Sequence, residues 1–373
     1  MIIAFVSDAI YPYNKGGKEK RLYEISTRLA KMNHEVHIYC MKWWEGPKDR
    51  IEDGVHLHAI GKLHPLYIGQ RRSIKEGVFF GLACLKLLTK KFDVIDVDHM
   101  PFFPLYSVWL VCALRGKKMY ASWHEVWGRQ YWLSYMSHLG HLSAYIERFS
   151  IHLPAKIISV SEHTTKRVLD DLHYNKAIVT IPNGLDYERI SGVKVSDKAS
   201  DILFVGRLLG QKNVDMLLRS IAQLKERGTM AHCIIVGNGP EKVKLEALSQ
   251  ELGLTKLVEF HDFYDDQDDI YSLMKATKVF AYPSTREGFG MAAIEAHATG
   301  TPVVTTTASD NAAQHLIKHG VNGFLFEPQV NALTEVLEEA LQKFKGLEKD
   351  CIKSAKRFDW ENITKQVSEA YAQ

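Results

Sequence analysis

The chain is poor in the features that would assign it to a simple class. It has no internal repeat and no low-complexity tract. Its longest apolar run, FFPLYSVWLVCAL from Phe102 to Leu114, falls short of the roughly 18 residues that a membrane span needs. Cysteine is scarce and odd in number: Cys40, Cys84, Cys112, Cys233 and Cys351 are widely spaced and form no CxxC pair. They read as buried thiols in a reducing compartment, with neither a disulfide framework nor a structural zinc. A formal net charge of +3 is too small to argue for nucleic acid. The opening MIIAFVSDAIYP carries no basic leader and meets Asp8 early, so it reads as a buried strand rather than a signal peptide.

What is present is an ordinary globular composition, 46% hydrophobic and 24% charged, over 373 residues, enough for two cores. Short β-rich runs alternate with amphipathic helical segments, the sequence form of βαβ units around parallel sheets. The first series is IIAFVS, EVHIYC, VHLHAI, DVIDV, KMYASW, KIISVS and AIVTIP; the second is DILFVG, AHCIIVG, LVEFHD, VFAYPS, PVVTTT and GFLFEP. Between them Asn183 to Ser200 is rich in Gly, Ser, Asp and Lys with little periodicity and reads as a linker. The fold class is therefore α/β, two doubly wound domains facing a cleft: residues 1–185, residues 186–356, and a final helical segment 357–373. In that segment Trp360, Ile363, Val367 and Tyr371 recur at helical spacing after a capping Asp359.

In open α/β sheets ligands sit beyond the carboxyl ends of strands, and the chemistry-bearing residues cluster there. Gly16 and Gly17 open a helix after the first strand, where free N–H groups could receive an anion. A plain βα turn needs one glycine at most. Lys18, Lys20 and Arg21 at that helix start oppose its dipole unless something negative lies there. His124 follows the strand KMYASW and could bond a sugar hydroxyl or phosphate, although a lone histidine is more often satisfied within its loop. HEVWG fails as a zinc HExxH helix because position 128 is Gly. In GRLLGQKN, Arg207 and Lys212 can clamp a diphosphate, Arg through its fork and Lys as a point charge; a solvated basic loop is the bland alternative. Because Arg207 follows Gly206 at a strand end, it is not expected to point freely into solvent. GNG at Gly237 to Gly239 is a weak signal alone.

REGFGMAAIEAHATG, Arg286 to Gly300, holds two glutamates eight positions apart. Counted at 1.5 Å each, eight helical positions put Glu287 and Glu295 roughly 12 Å apart, a span that suits a nucleotide sugar. The N–H groups of Phe289, Gly290 and Met291 would meet its diphosphate. Glu295 stands among alanines and would be costly to bury unpaired. DVD at Asp96 to Asp98 closes a strand and is followed by an apolar loop and helix, so a metal reading is set aside. DDQDD, Asp265 to Asp269, reads as an acidic helix N-terminus.

With these residues in place the chain resembles the retaining nucleotide-sugar glycosyltransferases of family four, which have the GT-B fold. YPYNKGG resembles the family's N-terminal glycine loop, GRLLGQKN its phosphate clamp and EGFGMAAIE its paired-glutamate motif. SVSEHTTKRV, IPNG, VGNGPE and GVNGFLFEP fill the intervals in order, so the likeness covers nearly the whole chain. It departs at SDNAAQHLI, Ser309 to Ile317, where many relatives carry a glycine pair. The resemblance implies a catalytic set of His124, Arg207, Lys212 and Glu287, in which Arg207 and Lys212 stabilise the leaving diphosphate and His124 lies by the donor sugar. It implies a donor-binding set of Gly16, Gly17, Gly288, Phe289, Gly290, Met291 and Glu295, with Glu295 on the ribose. It also implies an acceptor-side first domain, to which the last helix returns.

The expected activity is transfer of a hexose from a nucleotide-diphosphate sugar to an acceptor hydroxyl with retention, in glycan, glycolipid or cell-surface polysaccharide synthesis. No cofactor and no metal are expected, since cations and helix N-termini can hold the departing charge. A nucleotide-sugar epimerase or hydrolase on a similar fold, or a non-catalytic nucleotide-sugar-binding subunit, is the alternative. The acceptor is a glycan or a lipid-linked molecule, and no nucleic acid is expected. From Ile60 to Lys91 seven Lys or Arg stand against the single acid Glu76, with Tyr67, Phe79 and Phe80 interleaved. Such a face could meet an anionic membrane, or could equally be a solvated helix over core aromatics; Trp43 and Trp44 share that ambiguity. The expected location is cytoplasmic, or peripheral on the inner face of the membrane.

Overall fold

The computed structural model describes residues 1–68 and 71–372, so Gln373 of the final helical segment lies outside the described residues. The chain forms two compact units, Met1–Asn183 with Trp360–Gln373, and Gly184–Asp359.

In the first unit eight strands lie in the order Ile178–Thr180, Lys156–Ser159, Met119–Trp123, Val94–Asp98, Ile2–Val6, Glu35–Met41, Val55–Gly61, Asp49–Glu52. All neighbours are parallel except the last pair. That antiparallel edge strand, DRIE, has no apolar run and was not foreseen, because an exposed edge buries too little to leave a hydrophobic signature. In the second unit six parallel strands run Val258–His261, Cys233–Val236, Ser200–Val205, Thr277–Tyr282, Val303–Thr306, Gly323–Phe326. Most of their side chains are apolar and buried because helices cover both faces, while the edge strand Val258–His261 keeps Glu259 exposed. Phe204, Ile235, Val279 and Phe324 anchor one core, while Val97, Leu105, Ala121 and Trp123 anchor that of the first unit.

The segment read as a linker is partly structured. Asp186 accepts a hydrogen bond from the Arg189 N–H at 3.0 Å and starts the short helix Tyr187–Gly192. Leu185 pairs with Asp359 in a parallel bridge and donates to the Phe358 carbonyl at 2.8 Å. Both ends of the second unit are thereby tied together. The helix Trp360–Ala372 packs on Gly17–Lys31 in the first unit, with Arg28 Nε donating to Glu361 at 3.1 Å and the Tyr371 hydroxyl donating to Asp96 at 2.5 Å. Trp360, Ile363, Val367 and Tyr371 are buried, as a single helical stripe requires.

All five cysteines are free and buried. Among the described residues no helix is long and apolar enough to cross a membrane. Trp44 is buried beneath Arg50, 4.6 Å from its ring, and Trp43 Nε1 donates to the Asp8 carbonyl at 2.8 Å; both belong to the interior packing of the first unit.

Candidate active site

In the second unit the site grows from loops that leave the strand ends. Gly206 N–H donates to the Val236 carbonyl and Leu208 N–H to the Asn238 carbonyl, at 3.0 and 2.9 Å. A side chain at Gly237 would fall on the Gly206 carbonyl and one at Gly239 on the Leu208 backbone. The GNG turn therefore lets two strand-end loops touch, and this supports the backbone that carries Arg207. Arg207 itself is exposed at its strand end.

Lys212 ends a single 3-10 turn, Gly210–Lys212. Asn213 follows with φ 49°, and its side-chain amide donates to the Pro283 carbonyl at 2.9 Å and to the Thr285 hydroxyl at 3.2 Å. This clamp sets Lys212 beside Tyr282, with Nζ 3.4 Å from the hydroxyl and 5.1 Å from the ring centre. Lys212 also forms an ion pair with Glu287, and both side chains are largely buried. Burial, then Glu287 and Glu295, pushes the Tyr282 phenol well above its ordinary range, so it remains a neutral donor. Asn213 and Tyr282 were not singled out in the sequence. An asparagine after a lysine and a tyrosine at a strand end carry no pattern of their own.

The spacing argument for the two glutamates needs correction. The helix runs only over Met291–Ala298, so Glu295 is helical but Glu287 is not. Glu287 lies in the two-residue strand Arg286–Glu287, paired in parallel with Asp310–Asn311. The 12 Å estimate assumed eight helical positions and does not apply. Asn311 anchors that pairing: its amide donates to the Thr306 carbonyl at 2.8 Å and its Oδ1 accepts from Ala313 N at 3.1 Å. Gly290 caps the helix at φ 108°, and a Cβ there would stand 2.7 Å from the Ala313 methyl. Ala313, inside the segment that departs from the family pattern, thus occupies the space that Gly290 leaves open. Phe289 is buried against Phe358, at 5.5 Å between ring centres. Glu295 is buried, with Oε1 accepting from the Tyr271 hydroxyl at 3.1 Å. Gly288 and Met291 flank Phe289 and Gly290, placing the four residues at the start of the helix. The first N–H groups of such a helix have no acceptor within it.

In the first unit Gly16 caps, and Gly17 begins, the helix Gly17–Lys31; both are exposed. The inference from the nearby cations changes. Lys18 donates to Asp8 at 2.6 Å and lies 3.7 Å from Asp98, while Arg21 is buried and donates to the Pro182 carbonyl at 2.5 Å and to Asn183 at 3.1 Å. Their counter-charges and acceptors are supplied by the chain, so these two cations do not require an external anion.

His124 stands at the end of Met119–Trp123, its Nε2 3.1 Å from Asp98 Oδ1. Burial opposes ionisation of Asp98, but Lys18 and then His124 outweigh it and hold the carboxyl at about 2. An ionised carboxylate only accepts, so His124 Nε2 donates to it. The His124 N–H donates to His99 Nδ1 at 3.3 Å, and Glu147 accepts from the N–H groups of Trp127 and Gly128 at 2.8 and 2.9 Å. The loop after His124 is therefore fixed from two sides. Asp96, the other acid of DVD, has separate partners, Tyr371 and Ser122. Asp266 caps Gln267–Lys275, accepting from Asp268 N at 2.9 Å.

Behind this site lies a buried charge cluster. Asp8 also pairs with Arg72 at 2.5 Å, and Glu76, wholly buried, lies 3.8 Å from Arg72. Burial and then Asp8 push the Glu76 carboxyl up to about 8. The folded state thus holds a proton that the unfolded chain releases near the ordinary glutamate value of 4.5. The associated stability is complete below that value and is lost as pH rises through 8. Glu76→Gln keeps a neutral group there, so its Tm should match wild type at pH 5 and exceed it by roughly 5 °C at pH 9. A pH-independent difference in thermal melts would refute this assignment.

Comparison with known proteins agrees with this arrangement. Residues 15–189 match the model of Glycosyltransferase Family 4, and residues 187–358 match that of Glycosyl transferases group 1. An uncharacterized glycosyltransferase of Methanocaldococcus jannaschii is 33% identical over 393 aligned positions, 100% of this chain and 98% of that one. Sucrose-phosphate synthase of Thermosynechococcus elongatus superposes with a TM-score of 0.82 at 20% identity, over 100% of this chain and 98% of the other. The HepE protein of Anabaena, solved with UDP-glucose, gives 0.76 at 21% identity, over 100% and 99%. Two Rossmann-like domains with this strand order define the fold as GT-B. The chain belongs to the family-four glycosyltransferases.

Proposed function

We propose that this glycosyltransferase transfers a hexose from a nucleotide-diphosphate sugar to an acceptor hydroxyl, with retention and without a metal, in the synthesis of a glycan or glycolipid. The observation that carries the reading is Lys212, a largely buried cation held by Glu287 and Tyr282 in the same unit as the Gly290-capped helix. Breaking the bond between sugar and diphosphate places negative charge on the leaving oxygen. A cation fixed beforehand, with amide dipoles beside it, stabilises that charge without reorganising.

In this reading Arg207 and Lys212 receive the diphosphate, and Gly288 to Met291 bring backbone amides to it. Glu287 serves the donor sugar, and Glu295 bonds the ribose diol with Tyr271 fixing its orientation. The family resemblance assigns Gly16 and Gly17 to the donor phosphates and His124 to the donor sugar. The UDP-glucose bound by the Anabaena relative supports a nucleotide-sugar donor.

The test is a thermal-shift screen of nucleotide-diphosphate hexoses, followed by a radiolabelled-donor transfer assay. One donor should raise the Tm of the wild type, and about tenfold more of it should be needed for Glu295→Ala. Transfer should persist in excess chelator. Activity abolished by chelator and restored by a divalent ion would overturn the metal-free assignment, and no shift with any such donor would overturn the substrate class.

A further inference from the structure

The helix Phe103–Arg115 is apolar on both sides. Leu105, Val108, Val111 and Cys112 are at most 3% exposed, whereas Trp109, Leu110 and Leu114 are 44%, 44% and 68% exposed. A helix that is apolar all round belongs inside a protein core or in contact with lipid. Only its inner half is covered here.

The same exposure continues onto both neighbouring helices. On one side Ile74–Ala83 packs closely because Gly77 and Gly81 make room for Phe103; a Cβ at Gly81 would stand 2.9 Å from the Phe103 Cβ. Its outer residues Ile74, Phe79 and Leu82 are about half exposed, and Leu85 and Leu88 extend the strip along the next turn. On the other side Gly140–Ser150 is joined through Phe149, stacked on Tyr106 at 6.1 Å, and through the Tyr106 hydroxyl, which donates to the Ile146 carbonyl at 3.1 Å. Leu142 and Tyr145 on that helix are 58% and 68% exposed. Three adjacent helices therefore carry one apolar field, where an ordinary soluble surface would scatter such residues singly.

One end of the field is basic. Arg115 donates to the carbonyls of Leu87 and Lys90, which brings Lys86, Lys90, Lys91, Lys117 and Lys118 to the same end. The acid in that stretch that reaches the surface, Asp93, accepts from the Ile2 N–H and lies 3.9 Å from Lys117.

We propose that this face of the first unit lies on an anionic lipid bilayer, with the leucines and aromatic rings at the level of the headgroup boundary and the lysines on lipid phosphates. The charge decides the occupant. Two copies meeting through this face would place one basic margin against another, or against the apolar field, and the exposed acid there, Asp93, already lies beside Lys117 of its own chain. An anionic leaflet offers phosphates to Lys90, Lys91 and Lys118, while Lys86 donates to the Ile60 carbonyl at 2.6 Å. The run too short to span a membrane would instead lie along it, presenting roughly 20 Å of helix. The proposal is independent of the donor chemistry.

Flotation of the full chain with vesicles tests it, using phosphatidylcholine alone and phosphatidylcholine mixed with phosphatidylglycerol. The protein should float with the mixed vesicles at low salt and not with the neutral ones. Leu110→Glu/Leu114→Glu should cut binding at least about tenfold while Tm and solution transfer stay at wild-type values. Lys90→Glu/Lys91→Glu should weaken binding and flatten its salt dependence. Tyr145→Glu, on a different helix, should weaken it as well. Absence of flotation, flotation that survives Leu110→Glu/Leu114→Glu, or a dimer in sedimentation velocity that this variant dissociates would each overturn the proposal, the last by assigning the face to a second copy.

Discussion

Lys212→Ala is expected to lower kcat by roughly a hundredfold to a thousandfold with a smaller change in KM, the loss that follows removal of one preorganised donor from a developing oxyanion. The structure gives reasons for so large an effect. The side chain is only 13% exposed, its ammonium is paired with Glu287, and Asn213 bolts the turn that carries it to the 283–285 segment. Orientation is thus settled before the donor arrives. Lys212→Arg keeps the charge but needs a wider, planar seat beside Tyr282, and should recover only part of the loss. Arg207, more exposed than Lys212, should show a smaller kcat effect, because water screens its charge more strongly. Single-turnover measurement with labelled donor separates chemistry from binding. Wild-type turnover in both Lys212→Ala and Arg207→Ala would remove charge stabilisation by these residues from the mechanism.

Gly290→Ala should be strongly destabilising. Two costs combine. At φ 108° an L side chain is strained, and its Cβ would stand 2.7 Å from the Ala313 methyl and 3.2 Å from the Ala313 Cα. Together they should cost about 2 to 4 kcal/mol, a fall of roughly 5 to 10 °C in Tm. The two costs can be told apart. Ala313→Gly in the same chain removes the clash with the methyl but leaves the backbone strain, so the double variant should recover about half of the loss. Recovery of none would mean that Ala313 does not constrain the loop, and full recovery would mean that the backbone angle carries no strain. Donor affinity should follow Tm only if the helix start holds the diphosphate.

Much of this was legible in the sequence for a definite reason. A strand buried on both faces is apolar over most of its length, so IIAFV, ILFV and VFAY announce themselves, and glycines mark where the backbone turns behind them. The edge strand Asp49–Glu52 was invisible because it buries almost nothing. The helix Tyr187–Gly192 was hidden in a polar segment because its order comes from Asp186 and the Leu185 bridge to Asp359, not from periodicity. Glu287 was placed at a helical distance from Glu295 because spacing along a chain cannot reveal a two-residue strand that exists only through Asn311.

The cations show where reading along the chain stops. Lys18 and Arg21 at a helix start suggested a ligand, yet Asp8, Asp98, Pro182 and Asn183 already hold them. His124 was recognisable by its position after a strand, while Asp98, which accepts from its Nε2, had been considered only as a metal ligand.

The sequence by itself determined the order of the βα units, the two series that make two domains, and the placing of glycines, cations and glutamates just beyond the strands, since each depends on hydrophobic periodicity and local backbone preference. Only the tertiary structure decided which charge meets which. Lys212 and Glu287 are 75 positions apart, and Arg72 and Asp8 are 64. Such pairs arise from sheet order and loop packing, which bring together residues whose separation along the chain carries no information about their distance in space.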